Sequence, residues 1–210
     1  THPKSSEFKF QLFYCNLPKS RLQGTNALEY IKWGEKQGFH KRPSTRNRPL
    51  WYGVGERKSP PIICPCSMNE IYRVFINTEG VKIDKRLYEL YPVKGFENEI
   101  AAIMTSTYMS FMLELGARTG LGQGLLDMTV YELKDIRIPD PGLVEGLKPL
   151  NRKIGLLEHE MQQQDRLELD AAIFDALGLT QDERKQLYEA YITLVTNRIG
   201  KSTTITSPIN

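Results

Sequence analysis

Between residues 97 and 115, apolar side chains return at three- and four-residue steps: Ile100, Ile103, Met104, Tyr108, Phe111, Met112 and Leu115. This period predicts one helix, stopped by Gly116, with its Met and aromatic stripe turned to a core. Residues 156–177 and 181–199 predict two further helices, with Gly178 between them and Thr180-Gln-Asp-Glu183 as a capping box for the second. Thr129-Val-Tyr-Glu132 is another such box and starts a short helix before Pro139 and Pro141. Residues 25–37 predict a helix capped by Thr25 or Asn26 and followed by Gly38. Alternation over residues 8–14 predicts a strand. Short β-like runs at 62–64, 71–76, 81–83 and 88–91, with a turn at Asn77-Thr-Glu-Gly80, predict a small sheet.

The expected fold class is therefore α+β: a small mixed or antiparallel sheet packed with helices, followed by a C-terminal helical pair. The expected organisation is a first domain over 1–141 and a helical appendage over 142–200, joined by a Pro- and Gly-containing connector. A disordered Ser/Thr-rich tail is expected over 201–210.

Composition changes little in this picture. The 210 residues are 40% hydrophobic and 25% charged, as in ordinary soluble domains. No apolar run has the length of a membrane span, and no signal peptide is visible. The chain begins at Thr1, so a fragment or a processed product is expected. Cys15, Cys64 and Cys66 are expected to be reduced thiols in a cytoplasm. Cys64 and Cys66 flank a single residue, and His2, His40 and His159 are scattered, so no metal site is expected.

Charge does change it. The net charge of +3 is uneven: residues 1–75 hold 13 Lys and Arg against 5 Asp and Glu, residues 76–150 hold 8 against 11, and residues 151–210 hold 7 against 9. A basic first third on an otherwise acidic chain fits a surface that faces a polyanion. The excess peaks in residues 41–58, where Lys41, Arg42, Arg46, Arg48, Arg57 and Lys58 are interleaved with Asn47, Trp51 and Tyr52 and broken by Gly and Pro. Such a stretch predicts a surface loop. Arginines suit phosphates or the guanine edge, and Asn47 has the donor and acceptor pair that suits adenine. Trp51 and Tyr52 either stack on a ligand or anchor the loop to a core.

Two motifs fail as catalytic signatures. The glycine run ending at Gly120-Leu-Gly-Gln-Gly124 has no following Lys and comes after a helix, so it is neither a P-loop nor a dinucleotide fingerprint. Ser59-Pro-Pro-Ile62 has the frame of an amino-methyltransferase motif, but Ile62 stands where an aromatic ring would stack on a flipped base.

Residues 97–141 resemble the C-terminal specificity region of adenine-specific DNA methyltransferases of Type I and fused Type II restriction–modification systems. The likeness lies in the Ile100–Leu115 helix, the loop from Arg118 to Gly124, the segment Met128-Thr-Val-Tyr-Glu-Leu-Lys-Asp-Ile, and the ending Arg137-Ile-Pro-Asp-Pro141. Upstream, Tyr30-Ile-Lys-Trp-Gly-Glu35, His40-Lys-Arg-Pro43, Trp51-Tyr-Gly-Val-Gly-Glu-Arg-Lys58 and Arg73-Val-Phe-Ile-Asn77 are similar to the segments before and within the sheet of these enzymes. Downstream, Leu169-Asp-Ala-Ala-Ile-Phe-Asp-Ala-Leu-Gly-Leu179 is similar to their helical tail.

The resemblance implies a target-recognition segment that binds double-stranded DNA, with Arg118 and Gln123 on a second reading loop. It implies a parent that uses S-adenosylmethionine, with no cofactor held by this chain and no methyl-transfer residues within it. The expected partners are DNA, the methyltransferase domain of the same polypeptide, and a nuclease domain or subunit, in a bacterial or archaeal cytoplasm. Two rivals stand beside this reading: a module that docks a partner subunit through the C-terminal helices, and a small enzyme built on Cys64 and Cys66.

Overall fold

The structure, a computed structural model, describes residues 4–119 and 124–205, with the side chains of Ser5 and of 201–205 excepted. Its contacts divide it into two units, Ser6–Lys58 and Ser59–Asn210, the latter grouped with Thr1–Ser5.

The Ser6–Lys58 unit is built on one helix, α1 (Asn26–Lys36). Thr25 caps it, accepting the Leu28 N–H at 3.3 Å. Gly38 follows at φ 74°, a left-handed conformation that glycine adopts without strain, and leads into a 3-10 turn at Phe39–Lys41. Leu22, Leu28, Ile31 and Tyr52 form the core, with Phe13, Leu50 and Trp51 packed against them. The strand expected over residues 8–14 is absent, and Phe8, Phe10 and Leu12 are exposed. A strand needs a neighbour to satisfy its backbone, and among the described residues this unit holds no other.

In the second unit, β1 (Ile62–Pro65) lies between β3 (Phe75–Ile76) and β4 (Leu87–Leu90), both antiparallel to it; Ile62 is opposite Ile76 on one side and Leu90 on the other. A separate two-residue ladder joins β2 (Ser67–Met68) to β5 (Leu126–Asp127). The run 71–76 shrinks to β3 because Ile71, Tyr72 and Val74 are buried as irregular chain; apolarity there records burial, not pairing. No strand forms at 81–83. The Val81 N–H donates to Asn77 Oδ1 and its carbonyl accepts from Asn77 Nδ2, both at 2.9 Å, so a side chain takes up the backbone that a ladder would need.

The helix expected over 97–115 is two helices, α2 (Glu97–Thr105) and α3 (Thr107–Gly116). Ser106 between them is extended, and its hydroxyl accepts the Met109 N–H at 3.2 Å. The break is stabilised from α6 (Gln164–Ala176). Asp170 accepts the Thr107 N–H at 2.8 Å and the Thr107 hydroxyl at 2.5 Å, and Arg166 donates to the Thr105 carbonyl at 2.9 Å. The helix ends freed by the break thus find buried partners. After α4 (Val130–Asp135), whose Thr129/Glu132 capping box forms, the helix expected over 156–177 is likewise interrupted, into α5 (Leu157–Glu160) and α6.

The last helix, α7 (Gln181–Ile205), continues past residue 200 into the stretch expected to be a tail, of which 206–210 lie outside the described residues. The helical pair is not a separate appendage. Leu169, Ile173, Tyr191 and Val195 share a core with Ile71, Ile103 and Val144, so contacts thin at 58/59 rather than at 141. Two buried ion-pair groups hold this core at its edges: Glu160 with Arg152 and Arg166, and Glu114 with Arg198. Among the described residues, no helix is long and apolar enough to cross a membrane.

Candidate nucleic-acid interface

The unit boundary concentrates the charge. Ser6–Lys58 carries eleven Lys and Arg against four Glu, a net +7; the rest carries 17 against 21, a net −4. The basic excess is therefore the property of one folded unit.

Within it, residues 41–58 are a fixed loop. Trp51 packs against α1 at Gly34, where a Cβ would come within 2.5 Å of the indole. The indole N–H donates to Glu35 Oε1 at 3.1 Å, and Lys19 pairs with the same oxygen. The hydrogen bond from Lys19 holds the Glu35 carboxyl below its ordinary value, with the indole N–H adding to it. The Tyr52 hydroxyl donates to the Leu17 carbonyl at 2.8 Å. Further along, Gly55 sits at φ 75° with its N–H on Asn16 Oδ1 (3.1 Å) and its carbonyl on Asn16 Nδ2 and Tyr14 Oη (both 3.0 Å). At the near end the Thr45 hydroxyl donates to the Phe39 carbonyl at 2.5 Å.

Through these contacts Trp51 and Tyr52 anchor the loop. The polar side chains point outward: Lys41, Arg42, Arg46, Asn47, Arg48, Arg57 and Lys58 are exposed. Arg48 donates to the Gly53 carbonyl at 3.3 Å, and the Arg42 guanidinium lies 4.3 Å above the Phe39 ring. Among the described residues, none of Lys41, Arg42, Arg46, Arg48 and Lys58 joins an ion pair. These charges are not neutralised internally, which is the arrangement a polyanion requires.

Arg118 belongs to the other unit. Its backbone pairs with Asp127 (2.9 Å in both directions) and its exposed guanidinium binds Glu132 at 2.8 Å. Gln123 lies outside the described residues. The far end of its loop is held by Arg198, which donates to the carbonyls of Gly124 and Asn69 while pairing with Glu114 at 2.5 Å.

Sequence reasoning missed a set of rings beside the basic loop. Tyr30 and Trp33 stack at 5.4 Å and 21°; Phe13 lies 4.9 Å from Tyr30, and Phe39 meets Trp33 edge-on at 5.5 Å. The three-residue spacing of Tyr30 and Trp33 on α1 was the available signal.

The remaining candidates take structural roles. The Ser59 hydroxyl donates to the Gly80 carbonyl at 2.6 Å, and Ile62 is buried at the start of β1. The Ser-Pro-Pro-Ile run thus leads into a strand, with its hydroxyl held by backbone and its isoleucine in the core. Cys64 is fully buried, and burial pushes its thiol up to about 12, far from a reactive thiolate. Among the described residues, no three His, Cys, Asp or Glu side chains are placed to hold a metal ion. On α6 and α7, Leu167, Ala171, Phe174, Tyr188 and Ile192 line an open groove of about 460 Å³.

Residues 2–177 match the family described as Type II methyltransferase M.Eco57I, C-terminal domain. No curated protein matches the chain.

Proposed function

Since the chain belongs to the family of the C-terminal domain of Type II methyltransferase M.Eco57I, we propose that it selects the DNA site for an adenine-specific methyltransferase that uses S-adenosylmethionine. The observation that carries this reading is the coincidence, in the Ser6–Lys58 unit, of a net +7 with a rigidly anchored loop of outward cations. Lys41, Arg42, Arg46, Arg48, Arg57 and Lys58 set register on the phosphates of a duplex, and Asn47 reads a base edge. Arg118 and Gln123 contribute from the second loop. The methyltransferase domain of the parent polypeptide binds the methyl donor and extrudes the adenine; a nuclease domain or subunit completes the system.

Selection from a random duplex library, followed by titration at several salt concentrations, tests this. Affinity should fall steeply with salt, with a slope of about −0.9 per phosphate contact. Arg46→Ala should weaken binding to every duplex and flatten that slope by about one, whereas Asn47→Ala should relax selectivity at one position. A salt-independent affinity, or equal effects of the two substitutions on all duplexes, would overturn the assignment.

A second reading has the α6–α7 groove in its favour: this face docks an apolar helix of a partner subunit or domain. Leu167→Glu with Ile192→Glu should then abolish capture of the separately produced methyltransferase domain while leaving DNA affinity unchanged. Undiminished capture would remove this reading.

A further inference from the structure

Phe13, Tyr30, Trp33, Phe39, Trp51 and Tyr52 surround a cavity of about 130 Å³ in the Ser6–Lys58 unit, with Gly34 of α1 in its wall. Two of the rings, Tyr30 and Trp33, are also open to solvent, at 53% and 47% exposure, and they stack on each other. Aromatic-walled cavities take two kinds of guest: alkylated ammonium ions, which the ring faces attract, and flat heterocycles, which stack. Charge separates the two here. The unit carries a net +7, and the adjoining carboxylate, Glu35, is already bound by Lys19 and the Trp51 indole. A cation entering this cavity is repelled by its surroundings, whereas a heterocycle carried on a phosphodiester strand is drawn in.

We infer that the cavity receives one unpaired nucleobase of DNA, packed against the aromatic wall that includes the Tyr30–Trp33 pair, while Arg42 and its neighbours hold the flanking phosphates. This rests on the DNA-recognition reading above and adds to it a preference for DNA with a base out of the helix. The indole N–H of Trp51 and the hydroxyl of Tyr52 are already bonded to Glu35 and Leu17. Neither of these two donors is free to read a base edge, and the ring faces supply the contact.

Both tryptophans of the chain, Trp33 and Trp51, line the cavity, so its occupancy is visible in intrinsic fluorescence. The chain is titrated with a perfect duplex, with the same duplex carrying a one-nucleotide bulge, and with choline. The bulged duplex should bind at least about fivefold more tightly, the gain expected of one stacked base, and should quench the emission. Trp33→Ala, and Tyr30→Leu as a milder variant checked for folding by circular dichroism, should remove the preference without weakening the perfect duplex. Equal affinity for both duplexes with unchanged emission would overturn the cavity assignment and leave the DNA reading standing. Binding of the bulged form alone would support the cavity and overturn duplex recognition. Quenching by choline would overturn it in favour of a cation, and failure of every DNA to bind would overturn both readings.

Discussion

Replacing Glu160 by Gln removes the carboxylate that two arginines share. Glu160 and Arg166 have side chains only 2% and 1% exposed, and Arg166 Nε lies 3.0 Å from Glu160 Oε2. Arg152 approaches both oxygens, at 2.5 and 3.1 Å, and the Gly155 N–H donates to Oε1 at 2.7 Å. After the substitution Arg152 keeps Asp165, at 2.6 and 2.7 Å, and loses little. Arg166 keeps the Thr105 carbonyl but loses the carboxylate bonded to it. Removing one partner of a buried pair costs about 3–5 kcal/mol. The lower end applies, about 3 kcal/mol, because the amide oxygen still accepts from Gly155. For a unit of this size each kcal/mol lowers the melting temperature by about 2–4 °C, so the expected fall is about 6–12 °C. Calorimetry is the suitable assay, since both tryptophans lie in the other unit. A fall of less than about 2 °C would refute the reasoning. The paired change Glu160→Met with Arg166→Met should recover most of the loss, because it removes both charges together.

Burial acts to raise the Glu160 carboxyl, but Arg152, the Gly155 N–H and Arg166 together hold it below its ordinary value; Arg152 does the same for Asp165. A lowered carboxylate contributes stability that is complete above its unfolded-state value and is lost as pH falls through its lower folded-state value. Melting temperatures of the Ser59–Asn210 unit should therefore fall below about pH 4, and Glu160→Gln should flatten that descent. Arg198→Met strands the Glu114 carboxylate, whose side chain is 3% exposed, and removes donors from the Gly124 and Asn69 carbonyls. The expected loss is about 3 kcal/mol, with faster protease cleavage near Gly124, and unchanged cleavage would count against a holding role. Gly34→Ala drives a methyl group into the Trp51 indole. It should destabilise the Ser6–Lys58 unit by about 1–3 kcal/mol and shift tryptophan emission to the red.

Local chemistry was legible where its partners are near in sequence. Thr25 and Gly38 delimit α1, and the boxes at Thr129/Glu132 and Thr180/Glu183 form as their spacing demands. The break at Ser106 was not legible, because the group that stabilises it, Asp170, lies 63 residues from Thr107. Residues 8–14 alternate like a strand, but alternation carries no information about whether a neighbour exists to pair with. The same limit applies to the candidate interface. Charge located the basic loop, while an aromatic pair such as Trp51 and Tyr52 has one pattern whether it packs inward or projects. Only the fit of the indole against Gly34 separates the two.

The family match ends at residue 177, just before Gly178 and α7. Yet α7 sends Tyr191 and Val195 into the core with Ile103 and Ile173, and its Arg198 neutralises the buried Glu114. The segment that matches the family and the segment that folds as one core are therefore not the same length. A fragment cut at residue 177 would carry an open hydrophobic slot and an orphaned carboxylate.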